Sequence, residues 1–440
     1  MTRRLTTGAI ALCCVVGAGS SAFAQTTVPD RPYRGLFGSR SEVDQGQRLE
    51  VTATLVQAYD DNLLAEFGSI APGSPTVSGQ FTMLQAGTQY KWANRSVALG
   101  LTGASAFRYY SRVGDVQTVS HVGAAGLSAS LTRRTTLLLN QDAAYSPSYM
   151  FGLFSQLGEP GTGEGRAGAP DYALNDLQSY SYATNARLTH SLTRRTSISA
   201  AADYTLTDFL RNDTGRRDTT TRGIRTELSR NLGRQTSLRT GYSYRTGEFS
   251  ANLGSSSEHG VGLSMDHRRV LSASRQASFS FGAGVSSLDT PPDGSGAPGG
   301  RLYRVLGDAA FTYQFARSWE ARAAYRRGIA YIADLTEPVL VGGFTASVEG
   351  LLTRRLDLMA AAAYSSGESA LLYSESTFDT YTANVRSRFG LTRSAAVYLE
   401  YLFYFYDFAG SSLLAPGMSP QLERHGIRAG LTLWVPAFRR

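Results

Sequence analysis

The sequence has little charge, one lysine, and no cysteine beyond its N-terminal segment. Of 440 residues, 18% are charged, against about 25% in an ordinary soluble domain. Both cysteines, Cys13 and Cys14, lie in the first 24 residues, so disulfide and thiol chemistry are excluded for the rest. Beyond those residues no run of 18 apolar residues occurs, which excludes a membrane-spanning helix. The composition, 42% hydrophobic and 11% aromatic, instead favours strands that alternate between two environments.

The first 24 residues have the form of a secretory signal. Arg3 and Arg4 precede a short apolar stretch at 10–16, and Ala22 and Ala24 form a small-x-small cleavage site. We therefore predict a signal peptide at 1–24 and a mature chain outside the cytoplasm. Residues 25–47, which include Pro29 and Pro32, are predicted to form a flexible periplasmic arm.

A short motif of the form Leu-Thr-Arg-Arg-Thr recurs along the chain. Successive copies begin 37–42 residues apart, except for one interval of 61 that holds an insertion at 147–176. The copies begin at Trp92, Leu131, Leu192, Leu232, Ala273, Phe315, Leu352 and Leu391. The residues that flank each copy alternate with a period of two, which predicts a tight turn between two strands.

Longer stretches rich in Gly, Pro, Ser and Asp separate these hairpins, and their composition predicts loops. They lie at 60–78, 111–118, 147–176, 209–218, 249–257, 289–301, 332–340, 367–377 and 409–421. Short turns that alternate with long loops are typical of outer-membrane β-barrels. The insertion at 147–176 is either a gate that folds inward or a mobile surface loop.

Eight turns join sixteen strands, and one further strand lies at each end of the chain. The sequence thus predicts an all-β fold, a transmembrane antiparallel up-and-down β-barrel of about 18 strands at 48–435. Both termini would be periplasmic, with a short tail at 436–440. The alternative, soluble β-sandwiches, predicts no aromatic bands at strand ends. Such bands are present at Phe107, Tyr109, Tyr110, Tyr242, Tyr244, Tyr325, Tyr364, Phe403 and Phe405 on the loop side and at Trp92, Trp319 and Trp434 on the turn side.

The last strand resembles the C-terminal signal that outer-membrane insertion machinery recognises. Arg428, Gly430, Leu433 and Val435 carry this likeness, although five further residues follow. Together with the repeated turns and Tyr59-Asp-Asp-Asn62, the sequence resembles the type 2 outer-membrane β-barrel porin family from about residue 48 to 435. The resemblance implies the outer membrane of a Gram-negative bacterium, association with exopolysaccharide export, and a periplasmic polysaccharide-export protein as partner.

Charged residues on the polar face of the predicted strands are the candidate lining of a lumen. A charge that faces lipid at the bilayer midplane costs about 2–4 kcal/mol, so this face should point inward. The candidates are Arg108, Arg187, Arg225, Arg239, Arg245, Arg322, Arg326, Arg386, Arg388, Arg428, Glu227, Glu320, Glu349 and Glu400. The excess of arginine predicts a cationic lumen, in which Tyr398, Tyr404 and Trp434 are candidates for stacking on sugar rings.

The sequence favours a channel over an enzyme. The five histidines are scattered without metal-ligand spacing, and no cofactor is expected. Asp266-His267 resembles part of a catalytic site, but no nucleophile motif accompanies it. The interspersed charges give no support for nucleic-acid binding.

The predicted function is export of an exopolysaccharide, or another polar anionic solute, without energy coupling. The alternatives are a general or anion-selective diffusion porin, and a structural or adhesive barrel with no open pore. The expected partners are outer-membrane lipid and the insertion machinery.

Overall fold

The computed structural model of the chain is a closed barrel of eighteen antiparallel strands. It describes residues 46–63, 77–111, 116–146, 179–210, 218–249, 255–272, 275–290, 300–316, 318–331, 338–370, 377–408 and 420–439. The strands are β1 Gly46–Asp60, β2 Gly79–Ala93, β3 Val97–Tyr110, β4 Val116–Ser130, β5 Thr135–Ser146, β6 Ser179–Ser191, β7 Thr196–Phe209, β8 Thr219–Asn231, β9 Thr236–Phe249, β10 Ser255–Ser272, β11 Arg275–Thr290, β12 Gly300–Phe315, β13 Trp319–Ala330, β14 Val339–Leu351, β15 Leu356–Ser369, β16 Thr377–Gly390, β17 Ala395–Asp407 and β18 Gln421–Arg439.

Each strand pairs with its neighbours along the chain, and β1 also pairs with β18, which closes the barrel. The predicted all-β, up-and-down barrel of 18 strands is therefore confirmed. No helix among the described residues is long and apolar enough to cross a membrane. β18 continues to Arg439, so positions 436–439, expected as a tail, extend the last strand. The signal peptide and the insertion at 147–176 lie outside the described residues.

The recurring threonine of the sequence motif forms the turns. Thr193 Oγ1 accepts hydrogen bonds from the backbone N–H groups of Arg195 and Thr196 at 3.1 and 3.0 Å. Thr353 Oγ1 does the same for Arg355 and Leu356 at 3.2 and 3.1 Å. The threonine hydroxyl oxygen accepts hydrogen bonds from backbone N–H groups two and three residues later and so stabilises the tight turn. This role explains why threonine recurs at this position.

Alternation along each strand gives the barrel two chemically different faces. On β1, Val56 is fully buried whereas its neighbour Leu55 is half exposed, and this period of two continues along the strand. Large apolar side chains, including Leu263, Phe281 and Val305, are exposed on the outer face. An apolar outer face around a closed sheet is the solution that a bilayer requires, because it leaves no unpaired backbone in lipid. The protein is thus an outer-membrane β-barrel.

Aromatic side chains mark one level on the outer face. Tyr325, Phe344, Tyr364, Tyr381 and Phe405 lie directly opposite one another on five successive strands. The ring centroids of Tyr364 and Tyr381 are 4.8 Å apart, and those of Tyr381 and Phe405 are 5.8 Å apart. This row has the arrangement expected at a membrane interface.

Two residues assigned to the aromatic bands from sequence face the interior instead. Tyr110 pairs with Phe81 on the inner face and is buried. Trp434 lies opposite Thr52, also on the inner face, and its indole N–H donates to Glu50 at 3.2 Å. The prediction is wrong for these two residues because it considers only their position near a strand end, whereas the alternation along the strand turns their side chains inward.

Candidate channel lining

The strand register places all fourteen candidate lining residues on the interior face. Arg386 lies opposite Glu400, and Glu400 lies opposite Arg428, so these three form one inward row across β16–β18. On the other side of the barrel, Asp308 lies opposite Arg326. That these residues line a conducting channel remains a prediction.

The interior is less cationic than the sequence suggests. On the described strands the inward face carries fifteen basic and twelve acidic residues. The basic residues are Arg48, Lys91, Arg108, Arg187, Arg225, Arg239, Arg245, Arg268, Arg304, Arg322, Arg326, Arg386, Arg388, Arg424 and Arg428. The acidic residues are Glu50, Asp60, Asp142, Asp203, Glu227, Glu258, Asp266, Asp308, Glu320, Glu349, Asp357 and Glu400. Most of the acids that sequence reasoning missed are aspartates, and the alternation around them could have revealed their direction.

Part of the interior is open to water along the wall from β7 to β13. Arg225, Asp308 and Arg326 point inward by register, yet their side chains are exposed to solvent. A side chain can be both inward and exposed only where the interior holds solvent space. Porin-sized barrels leave such an aqueous space, in agreement with this placement.

Acids hold three of the seven inward arginines on this wall, Arg239, Arg245 and Arg322. Arg239 Nε lies 2.8 Å from Asp266 Oδ2, and Arg239 Nη1 lies 4.0 Å from Glu227 Oε2. Arg245 Nη1 lies 3.8 Å from Glu258 Oε2. Arg225 and Arg326, in contrast, form no ion pair within 4.0 Å with any described residue. The exposed inward arginines on this wall that no described acid pairs with are therefore Arg225, Arg326 and, near the turn side, Arg268.

The opposite wall is closed to solvent at mid-height. Glu400 and Arg428 are buried, and so are Glu50 and Thr52 on β1. The ring of Tyr398 covers Gly430, where an added Cβ would lie 2.4 Å from the ring atom Cε1. The lumen is consequently asymmetric, with solvent-exposed charged side chains along one wall and packed side chains along the other.

The aromatic residues expected to stack on sugars are not presented to a polymer. Tyr404 is 1% exposed. Tyr398 packs on Gly430, and the indole of Trp434 is bound to Glu50. The interpretation of these three residues as a sugar-stacking track is not supported by their packing.

The histidines and the Asp266-His267 pair show no catalytic arrangement. Asp266 faces inward and binds Arg239, whereas His267 faces outward and is hydrogen-bonded to Thr236 Oγ1 at 3.0 Å. The two side chains are on opposite faces of β10 and cannot act on one substrate. In the part of the chain that the structure describes, no group of three potential metal ligands comes together.

Comparison with known proteins gives structural neighbours only. No protein-family model matches the chain, and no curated protein matches it. The fold is similar to Pseudomonas aeruginosa OccK11 (OpdR), with a TM-score of 0.41, 13% identity, and coverage of 90% of this chain and 98% of that one. It is similar to P. aeruginosa OccK2 (OpdF) in complex with glucuronate, with a TM-score of 0.45, 10% identity, and coverage of 89% and 98%. It is also similar to Acinetobacter baumannii OccAB2, with a TM-score of 0.45, 9% identity, and coverage of 89% and 98%. Likeness at this level carries no argument about the solute.

Proposed function

We propose that the protein is a passive diffusion channel for small polar solutes, with a mild preference for anions. The observation that carries this proposal is the inward yet solvent-exposed position of Arg225, Asp308 and Arg326 on one wall of a closed barrel. An aqueous passage lined by charges of both signs admits polar solutes without binding them tightly. Arg225 and Arg326 add positive potential, which favours anions.

Export of an exopolysaccharide, implied by the family resemblance, has weaker support. A passage for a sugar polymer would be expected to present aromatic faces along its wall, but Tyr404 is buried and Tyr398 is covered by its contact with β18. A barrel with a purely structural or adhesive role does not account for the solvent-exposed inward charges. We therefore favour the diffusion channel.

Planar-bilayer recording of the purified chain tests this function. We expect stable single-channel conductance and, in a salt gradient, a reversal potential shifted toward the anion equilibrium potential. The double variant Arg225→Ala/Arg326→Ala should lose most of this shift. Arg133→Ala/Arg134→Ala, in an exposed turn, is the matched control because it removes two positive charges outside the lumen.

Three results would contradict the proposal. Absence of conductance in correctly folded protein would reject a channel. An unchanged reversal potential in the double variant would reject the roles of Arg225 and Arg326. Block of the current by micromolar acidic polysaccharide, with no conductance change from small sugars, would favour export.

A further inference from the structure

The upper part of β13 leaves the barrel wall. β13 pairs with β12 only from Trp319 opposite Phe315 to Arg327 opposite Gly307. Beyond that point β12 continues to Gly300, and residues 301–306 pair with β11 on one side only among the described strands. The residues that would continue the ladder are 328–330 of β13 and Tyr331, but none of them pairs with β12. The wall therefore has a seam on the loop side between β12 and β13.

The displaced end of β13 lies on the inner side of the wall, and we call it, with its partners on β14, the tip: residues 328–331 and residues 339–341. On their other side, residues 339–341 remain paired with residues 367–369 of β15. Ile329, Tyr331 and Leu340 form a buried apolar cluster with Leu288, whose side chain faces the interior from β11. Sequence alternation assigns Ile329 and Leu340 to the outer face, because Arg326 faces inward. Their burial against an inward residue shows that the tip has turned over the mouth of the barrel.

Three contacts hold the tip against the inner face of β9 and β10. Arg245 Nη1 donates to the backbone carbonyl of Ile329 at 3.4 Å. The hydroxyl of Tyr331 lies 3.3 Å from Ser256 Oγ, in a buried hydrogen bond. The ring of Tyr331 lies on the backbone of Gly247, where an added Cβ would be 2.1 Å from Cδ1. The tip thus reaches from β13 across β12 and β11 to β9 and β10.

Glycines lie where the tip departs from the wall. Gly328 follows Arg327 on β13, and Gly342 and Gly343 lie opposite Arg327 and Arg326 on β14. Both strands of the hairpin therefore contain glycine at the bend, where the lack of a Cβ permits a change of backbone direction. On β15, which stays paired with β14 as far as Ser369, Gly367 lies opposite Val341, so glycine occurs near this level on three successive strands.

The vacated edge of β12 matches the tip in register and in chemistry. Continuing the ladder beyond Gly307–Arg327 would bring Ile329 opposite Val305 and Tyr331 opposite Tyr303. Val305 and Tyr303 are 69% and 68% exposed on the outer face, the highest values among the large hydrophobic residues that the structure describes. An unpaired strand edge in contact with lipid leaves backbone N–H and C=O groups without hydrogen-bond partners. Pairing of the β12 edge with the tip would satisfy these groups and is therefore favoured.

We propose that the tip is a gate with two positions. In the position seen in the structure, it folds over the mouth and narrows the aqueous passage. In the other position, it swings about Gly328, Gly342 and Gly343 and carries with it the paired end of β15, residues 367–369. It then pairs with residues 303–306 of β12 and closes the seam, which widens the mouth. Ile329 and Tyr331 then join Val305 and Tyr303 on the outer face. This gate regulates the passage of the proposed function and so rests on it.

Disulfide trapping tests the two positions, and the mature chain contains no native cysteine to interfere. The inside pair, Gly247→Cys/Tyr331→Cys, should trap the inside position, because a Cβ on Gly247 would lie 3.0 Å from Tyr331 Cγ and hence within disulfide reach of its Cβ. The wall pair, Val305→Cys/Ile329→Cys, should trap the wall position, because directly opposed residues of antiparallel strands have Cα atoms about 4.5–5.5 Å apart. The control pair, Val285→Cys/Val305→Cys, is opposed across the intact β11–β12 ladder.

We expect all three disulfides to form in the refolded full chain in lipid vesicles, read as mobility shifts without reductant and confirmed by peptide mapping. The control pair should oxidise fastest, and the wall pair should accumulate more slowly as the tip swings out. Formation of the control disulfide without any wall disulfide would overturn the proposal. So would an immediate and complete wall disulfide with no disulfide in the inside pair, because the tip would then be a fixed part of the wall.

Conductance of the trapped forms tests whether this movement gates the passage. The inside-locked form should show a smaller single-channel conductance that rises when reductant is added, and the wall-locked form should remain at the larger level. Equal conductance in both locked forms would overturn the gate. If no variant conducts, the proposed channel fails, while the cross-linking yields still decide whether the tip moves.

Discussion

The guanidinium of Arg424, on the last strand, binds the carboxylate of Asp60, on the first strand, through Nε and Nη2. Its Nε lies 2.8 Å from each carboxylate oxygen, and its Nη2 lies 2.8 Å from Oδ2. Both side chains are almost fully buried, at 2% and 6% exposed. The contact lies where β1 meets β18, so it stabilises the closure of the barrel at the loop side.

Removing the carboxylate should destabilise the barrel strongly. We expect Asp60→Asn to lower the free energy of unfolding by about 3–5 kcal/mol, because a buried guanidinium loses its counter-charge. The measurement is the urea midpoint of the purified protein in lipid vesicles. Asp289→Asn is the matched control, because Asp289 binds Arg301 with similar geometry on an exposed surface. Equal shifts for the two variants would show that burial of the pair is unimportant.

The contact between Tyr398 and Gly430 predicts a size limit at Gly430. We expect Gly430→Ala to destabilise the barrel by about 1–3 kcal/mol, because the added methyl would overlap the tyrosine ring and force it to move. The loss should be smaller in the background Tyr398→Ala, and a double-mutant cycle measures this coupling. Gly233→Ala serves as control, since nothing lies within 4 Å of a Cβ added there. An additive cycle would contradict a direct contact.

The pairing of Arg239 predicts an increase in anion selectivity on loss of an acid. Asp266→Asn removes the closer of the two carboxylates that face Arg239 and adds one positive charge to the wall. We expect the reversal potential in a salt gradient to move further toward the anion equilibrium potential. Glu248→Gln, on the outer face, removes the same charge away from the lumen and should leave the potential unchanged. A shift of equal size in both variants would point to net charge alone.

Alkaline pH should release the tip. Burial raises the pKa of Tyr331 to about 12, so the inside position favours the neutral phenol. Its stabilising contribution is present below pH 10, the ordinary tyrosine value, and is lost as the pH rises toward 12. Glu258, Arg245 and Tyr244 are the charged and titratable groups that act on the phenol.

The measurement is the disulfide yield of the wall pair relative to that of the control pair at each pH, which cancels the faster oxidation of thiols in base. We expect the ratio to rise between pH 10 and 12 in the presence of Tyr331. The wall pair in the background Tyr331→Phe should give a ratio that does not change with pH, because phenylalanine cannot ionise. A rise of equal size in that background would assign the effect to other groups.

Much of the barrel could be predicted from sequence because its determinants are local. The threonine turns recur at a regular spacing, and the period of two gives each residue a face. The alternation thus predicts one common face for Arg386, Glu400 and Arg428, and these three residues lie opposite one another across β16–β18. The charge balance of the interior is harder to predict, because inward acids such as Asp203 and Asp308 lie among small residues that give the alternation little contrast.

The tip could not be predicted because its residues obey the local rule. Ile329 and Leu340 have the position and the apolar character of lipid-facing residues, and nothing in their neighbours indicates a bend except the glycines. The contacts of Tyr331 with Gly247 and Ser256 and the hydrogen bond from Arg245 to Ile329, all between residues distant in sequence, reveal that the segment lies inside. Tertiary contacts of this kind have no signature in a single sequence.

The up-and-down order of the strands has a consequence for folding. Every pairing joins consecutive strands except that of β1 with β18, whose contact between Asp60 and Arg424 spans 364 residues. Hairpins can therefore form early through contacts of low sequence separation, while closure requires the two ends of the chain to meet. A chain that lacks its last strand would present two open sheet edges, each a template for another molecule. Association between copies, rather than simple unfolding, is then the expected fate of a truncated chain.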